Sequence, residues 1–306
     1  MYDLFDNVPQ KEIKCLDHGF VRLIDMMPRL VPDKEVTADA AIVQAARVSY
    51  GAGTKSVNED RGLIRYLMRH SHWTPVEMVC FKFHLRLPIF CARQMVRHRS
   101  ASLNEISGRY SVLPADFYTP DVDNVRQQSQ LNKQGGDIQI DENVAAKFIA
   151  DLKHTDLEAY QLYEKYLEAG VSREQARMLL PIGLYTEWYW ECDLRNLLHF
   201  LGLRCDKHAQ HEMRVFANAM LDLIRPLVPM TVEAWEDYSP YRGAVLLSRL
   251  ELEGLRQEID YLMSRVNASF GWHGETINLR KLAVVSENKR EQQEWVDKAR
   301  LFGLPW

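Results

Sequence analysis

Val79-Cys80-Phe81-Lys82-Phe83-His84-Leu85-Arg86-Leu87-Pro88 decides the architecture of this chain. Apolar Val79, Phe81, Phe83, Leu85 and Leu87 alternate with Cys80, Lys82, His84 and Arg86. A period of two puts one set of side chains on a buried sheet face and the other on a polar face. Pro88 ends the strand and suits the first turn of a helix, where its missing N–H costs nothing and its φ is already helical. Ile89, Phe90, Ala92 and Val96 continue as an apolar helix that ends near His98. A half-buried strand feeding directly into a helix is the mark of a mixed α/β chain.

Outward from this unit, Phe20 to Met27 fits a second strand, and Ala40 to Val48 a short helix closing near Ser49-Tyr50-Gly51. Asn58 suits the N-cap of a helix running to about His70. Residues 121–143 are polar, rich in Gln and Asn, and hold Gly135-Gly136, which predicts a long inserted loop. Asn143 to Ala169 is amphipathic at helical spacing, with Gly170 as its stop. Ser172 and Gln175 fit a capping box for a short helix before Pro181. Gly183 to Cys192 is aromatic and strand-like, and Asp193 suits the N-cap of a helix through about Leu203. A further helix is expected from about Lys207 to Ile224.

From about Ala244 the pattern changes. Val245, Leu252, Leu255, Ile259, Leu262 and Val266 fall on alternating steps of three and four, with Ser248 in one slot. That is a coiled-coil-like seam, which Gly254 weakens as an isolated helix. A polar tail and a short helix from Ser286 to Leu301 follow. The expected division is therefore a main domain, 1–243, and a helical C-terminal extension, 244–306, with a structural or assembly role.

The 306 residues are 46% hydrophobic, enough for a substantial core. The formal net charge of −4 disfavours a dedicated nucleic-acid binder but leaves room for a local basic pocket. Cys15, Cys80, Cys91, Cys192 and Cys205 are odd in number and none is paired at two-residue spacing. Reduced thiols are expected, with no disulfide framework and no metal site. No apolar run reaches the roughly 18 residues of a membrane span, and the N-terminus lacks a signal core. A cytoplasmic protein with no membrane partner is the expectation.

The chemistry concentrates in Gln94 to Tyr110, which delivers Arg97, His98, Arg99, Asn104, Glu105, Ser107, Gly108 and Arg109 in a short span. Three consecutive residues at a helix end fan out by about 100° each, so Arg97, His98 and Arg99 suit a large polyanion gripped from several sides. The planar guanidinium binds phosphate bidentately. Ser107, Gly108 and Arg109 offer a hydroxyl, a backbone amide and another guanidinium for a second phosphate. A solvated basic cluster is the plain alternative.

Arg97-His98-Arg99 followed by seven residues and Ser107 resembles the signature of flavin-dependent thymidylate synthases, and the agreement extends through Arg109-Tyr110. Four further segments resemble that family in the same order: His72 to Glu77, Pro88 to Gln94, Ala176 to Pro181, and Leu203 to Ala209. The resemblance implies a twisted, mainly antiparallel sheet flanked by helices and a homotetramer with active sites shared between chains; the net charge leads to the expectation of no nucleic-acid partner. It implies an enzyme that methylates dUMP to dTMP, with FAD as hydride carrier and with NADPH and methylenetetrahydrofolate as co-substrates. It places Ser49, His72, Thr74, Glu77, Arg97, His98, Arg99, Asn104, Glu105, Asp193, Arg195, His199 and His208 at FAD. It places Gln94, Arg97, Glu105, Ser107, Gly108, Arg109, Arg177 and Arg204 at dUMP. Arg204 falls near the uracil edge, and His72 and Ser107 join it as catalytic candidates. Ser107 reads as an orienting group, since a serine nucleophile needs a base and none can be assigned.

Asp193 and His199 stand where the family often has Asn; an ionised Asp cannot donate, and a cap for the following helix is its alternative role. A runner-up reading keeps the flavin but changes the acceptor, as in another flavin-dependent transferase or oxidoreductase on a uracil nucleotide. A regulatory or nucleic-acid-binding protein using the basic fan is the other class. Net charge argues against it, as does the lack of aromatics interleaved between Arg93 and Arg99.

Overall fold

The computed structural model describes residues 12–30, 36–48, 57–129, 136–239 and 248–270, the last to Tyr261 for its side chains. The chain divides into two units, Met1–Gly243 and Ala244–Trp306. The first is built on a five-stranded sheet in the order β1-β2-β3-β7-β4, with every neighbouring pair antiparallel. Its strands are β1 (Glu12–Cys15), β2 (Gly19–Met27), β3 (Cys80–Pro88), β4 (Ser102–Glu105) and β7 (Tyr185–Asp193). β5 (Arg126–Gln128) and β6 (Gly136–Gln139) form a separate hairpin. Thus 121–143 is not one long loop: where described, it carries a short ladder ahead of the next helix.

β3 is the central strand and behaves as its alternation demands. Phe81, Phe83, Leu85 and Leu87 are fully buried, and they meet Trp188 and Trp190 of β7 and Val21 and Leu23 of β2 in one core. Lys82, His84 and Arg86 face the other way, in register with Glu191, Tyr189 and Glu187. The apolar face is covered by α1 (Asp39–Val48), α2 (Val57–Arg69), α6 (Leu194–Arg204) and α7 (His211–Ile224). Burying each large side chain stabilises by about 1.5–3 kcal/mol.

The helix boundaries follow local chemistry, with some corrections. α2 starts at Val57, so Asn58 lies inside it and is not its cap. α3 (Ile89–Met95) stops before His98, and turns donated by the backbone N–H of Arg97 and of His98 carry the chain on. α4 (Glu142–Glu168) is capped by Asp141, which accepts from the N–H groups of Asn143 and Val144. Gly170, at φ 88°, supplies the left-handed residue that ends α4. Ser172 precedes α5 (Arg173–Ala176) as its N-cap, but its hydroxyl meets the Gln175 side chain and no capping-box bond to the backbone forms. α7 begins at His211, later than its apolar pattern suggested, because Lys207 to Ala209 form a turn. α8 (Pro229–Tyr238), β1 and β4 were not anticipated. The second unit contributes α9 (Arg249–Phe270), which carries Leu252, Leu255 and Ile259 of the seam. Ser49, Gly51, Gly135, Val245 and Ser286 to Leu301 lie outside the described residues.

α8 has no cap of its own: Val228 offers no side-chain oxygen. Asp39, at the start of α1, fills that role from far away in sequence. Its carboxylate accepts from Met230 N at 2.9 Å, Thr231 N at 3.1 Å and Thr231 Oγ1 at 2.5 Å. Asp39 is almost fully buried, and burial lifts its carboxyl above the usual range against the pull of these bonds. Removing the acceptor strands buried donors, each costing about 1–3 kcal/mol. Asp39→Ala is therefore expected to lower unfolding free energy by about 3 kcal/mol in a denaturant titration, and a change below about 0.5 kcal/mol would show that Asp39 does not anchor α8.

Candidate functional site

Antiparallel pairing sends the helices after β3 and β7 off from opposite ends of the sheet: Cys80 faces Asp193, and Pro88 faces Tyr185. Asp193 caps α6, accepting from Asn196 N at 3.0 Å and from Asn196 Nδ2 at 2.6 Å. Both of its oxygens are thereby occupied, so the capping role is the one seen. Near this end, Arg195 Nη1 donates to Glu77 Oε1 at 2.5 Å, with both side chains partly exposed.

At the other end of α6 its residues meet the turn after α3. Arg204 Nε donates to His98 Nε2 at 3.2 Å. The His98 ring stands edge-on to Phe200, with centroids 4.9 Å apart, and lies 6.0 Å from the His199 ring. Burial, then the Arg204 charge, then His199 hold the His98 imidazole down at about 4. Burial also lowers Arg204 from its usual value. At neutral pH this is a neutral imidazole touching a half-buried cation. Because Nε2 accepts, the ring proton sits on Nδ1. Arg97 and Arg99, on either side, are exposed and face solvent.

One turn back on α3, Gln94 Nε2 donates to Oε1 of Gln210, at the head of α7. Gln94 and His98 are four residues apart, so the α6–α7 turn is fastened to α3 and its following turn at two points.

A second cluster surrounds Ser107. β4 is pinned to β7 through Asn104, in register with Tyr189, and Glu105, in register with Trp188. Glu105 Oε1 also accepts from Thr186 Oγ1 at 2.5 Å. Alternation puts Asn104 on the opposite face from Glu105, where it lines a depression of about 280 Å³ with Lys82, Ser102, Tyr189 and Glu191. Ser107 Oγ accepts the Arg109 backbone N–H at 3.3 Å. Gly108 is buried, and a Cβ there would lie 2.9 Å from Leu113 Cδ1 and 3.3 Å from Arg177 Cδ. A side chain at 108 would displace the tip of Leu113 and press Arg177 back by a few tenths of an ångström. Arg109 Nε donates to Glu174 Oε2 at 3.2 Å, and Arg173 Nη1 donates to the Tyr110 carbonyl. An open cavity of about 510 Å³ lies here, lined by Arg109, Tyr110, Val112, Leu167, Arg173 and Glu174.

The structure thus brings together His98, His199 and Arg204; Glu77 and Arg195; and Ser107, Gly108, Arg109 and Arg177. It holds Asn104 apart from Glu105. His72 is exposed, its ring edge-on to Tyr66 at 5.6 Å, and its backbone N–H closes α2 onto Leu67 O. Thr74 is exposed, and His208 is exposed with Nδ1 2.8 Å from Asp206 Oδ1. Sequence reasoning missed Gln210, Glu174 and Thr186. Glu174 stands three residues before Arg177, so helical spacing could have found it, whereas Gln210 lies between two helices and carries no such signal. Thr186 left no signal beyond its strand.

The family model described as thymidylate synthase complementing protein matches residues 29–230. The chain is 47% identical to the flavin-dependent thymidylate synthase of Dictyostelium discoideum over 98% of its own length and 90% of the relative's. It is 42% identical to that of Rickettsia conorii, covering 97% and 96%. Among solved structures it is similar to the UMP/dUMP methylase PolB from Streptomyces cacaoi, bound with 5-Br dUMP. The TM-score is 0.65 at 32% identity, over 74% of this chain and 98% of that one. All five cysteines are free, as the reduced-thiol expectation had it, and no helix among the described residues is long and apolar enough to cross a membrane. The matched span takes in all five motif segments whole and the strands β3, β4 and β7 beside them, and the chain belongs to the thymidylate synthase complementing protein family.

Proposed function

We propose that this chain is a flavin-dependent thymidylate synthase that converts dUMP to dTMP. The carbon comes from methylenetetrahydrofolate and the reducing equivalents from NADPH. The observation that carries the reading is the His98–Arg204 contact: a neutral imidazole and a half-buried cation set between two exposed arginines. That donor set fits FAD, whose diphosphate needs cations and whose ring needs neutral polar neighbours. Arg97, Arg99 and the Glu77-braced Arg195 would hold the diphosphate, and His98 would offer Nδ1–H. When bound, FAD supplies the hydride.

The residues of the chain do the rest. Ser107, Arg109 and Arg177 bind the nucleotide phosphate. The Arg109–Glu174 pair is more than half exposed and worth little in water, so the guanidinium is free to exchange carboxylate for phosphate. Arg204 lies against the uracil edge and stabilises negative charge developing on the ring. Ser107 orients the nucleotide. Its oxygen already accepts a backbone N–H, and among the described residues no side-chain base is bonded to it. His72, exposed at the end of α2, and Glu105, anchored by Thr186, complete the set, with Gln94 at ribose or base. Asn104, on the opposite sheet face, fits a site completed by another chain of a homotetramer. A cytoplasmic location accords with free thiols. The second unit reads as an assembly element.

The similarity to PolB, a UMP/dUMP methylase, favours one variant of this reading in which the ribonucleotide is also accepted. Side-by-side turnover of dUMP and UMP separates the two.

Protein shown to hold FAD is expected to release tritium from C5-labelled dUMP in the presence of methylenetetrahydrofolate and NADPH; no release would refute the assignment. Ser107→Ala is expected to weaken dUMP binding about tenfold while leaving measurable turnover, as loss of one hydrogen bond near a phosphate should. A mass-trapped covalent adduct of dUMP on Ser107 would contradict that role. His98 should remain neutral through pH 5 by NMR, titrating near 4 rather than 6.5. An unfolded chain takes up that proton near pH 6.5 and the folded one only near 4. The stability contribution of neutral His98 is therefore intact above about 6.5 and lost as pH falls toward 4. A midpoint above 6 would show that the pocket does not enforce neutrality.

A further inference from the structure

We infer that Ser71 is a positioning residue: its left-handed backbone closes α2 so that His72 is held against Tyr66 and directed at the site proposed for the flavin. The inference rests on the proposed placement of His72 at FAD and adds Ser71 and Tyr66, which lie outside that set.

Ser71 has φ 56°, and among the described residues only Leu16 shares a left-handed backbone without being glycine. A Cβ crowds the following carbonyl there, so an L side chain enters this region only when the surrounding structure requires it. Two hydrogen bonds impose the requirement. Ser71 N–H donates to Met68 O at 3.2 Å, and His72 N–H donates to Leu67 O at 2.8 Å. With the left-handed residue between them, these make the helix closure that usually ends on glycine. In a helical or extended conformation at 71, the His72 N–H could not reach Leu67 O.

The closure fixes more than the end of α2. It commonly brings the residue after the left-handed one onto the last turn of the helix. Here those residues are His72 and Tyr66, whose rings stand edge-on at 88° with centroids 5.6 Å apart. The His70 ring lies 4.5 Å from Tyr66 and 6.1 Å from His72, so Tyr66 packs with both imidazoles. These are contacts between whole rings and survive a flip of either imidazole. Downstream the chain is anchored as well. The Trp73 carbonyl accepts from Val76 N at 2.8 Å and from Glu77 N at 3.2 Å, and the Trp73 side chain packs on the core. The main chain of His72 is thus held on both sides, and the conformation of Ser71 sets the direction in which its side chain leaves.

The test compares Ser71→Gly and Ser71→Val in the full-length protein. Glycine adopts the left-handed backbone without steric cost, whereas a β-branched residue resists it most. Leu16→Val is the control, because it strains the other left-handed residue. Its turn precedes β2, whose Phe20 pairs with Arg86, while the His72 segment enters β3 at the opposite end, Cys80. FAD affinity by fluorescence titration, steady-state rates with dUMP and the His72 imidazole resonances by NMR are read. Ser71→Val should weaken FAD binding and lower kcat about tenfold each, leave KM for dUMP within about twofold, and shift the His72 resonances. Ser71→Gly should match wild type in all three, and Leu16→Val should lower Tm while keeping FAD affinity. Should Ser71→Val fail to fold, Tyr66→Leu against Tyr66→Phe puts the same question: Leu should shift the His72 resonances and weaken FAD binding, and Phe should do neither. Equal losses in Ser71→Gly and Ser71→Val, an equal loss of FAD affinity in Leu16→Val, or His72 resonances unmoved in both Ser71→Val and Tyr66→Leu would overturn the inference. A wild type that takes up no FAD would fault the proposed function, and the NMR comparison would still test how His72 is held.

Discussion

Everything at the site hangs on the register of β3 against β7. The pairing runs from Cys80↔Asp193 to Pro88↔Tyr185 without a break. A slip of one residue would turn Phe81, Phe83 and Leu85 outward and Lys82 and His84 into the core. It would also move the origins of α3 and α6, which leave from opposite ends of the pair. Only in this register do their far ends converge, so that Arg204 reaches His98 and the α6–α7 turn reaches Gln94. The core thus stabilises the fold and sets the position of the reacting groups at the same time.

The two polar clusters are built differently. The His98–Arg204 centre is half-buried and electrostatically decided: burial and a neighbouring cation leave the imidazole only its neutral form. The Ser107 turn is open and held by weak, exchangeable contacts, the Arg109–Glu174 pair among them. A buried, fixed pair suits a group that must be aimed at a flat ring. An exposed cation with a loosely held carboxylate suits a phosphate that arrives and leaves. The difference in burial follows from their carriers, helix ends packed on the sheet in one case and an edge-strand turn in the other.

Much of this was legible in the sequence. Alternation in Val79 to Leu87 places the central strand, Gly170 the end of α4, and Asp193 the start of α6. The basic fan and its spacing to Ser107 mark the site. What was not legible depends on distant residues. Asp39 caps α8 across most of the chain, and no local pattern reveals a cap whose helix lies that far away. β4 is short and exposed on both faces, so it has no alternation to read; it is a strand because β7 offers it an edge. Gln210 carries no chemical signal of its own, and only the folded chain brings it to Gln94. His98 looked like a member of a cationic fan; its neutrality comes from Phe200 and Arg204, which only the folded chain brings to it.

The visible absorbance of the purified full-length protein during titration with dUMP tests the central claim most directly, that one set of residues joins a flavin site to a nucleotide site. The account predicts flavin bands in the protein as isolated or after FAD loading, shifted by dUMP in the wild type and much less so in Arg204→Gln. A protein that binds dUMP but takes up no flavin, or flavin bands unmoved by saturating dUMP, would contradict it.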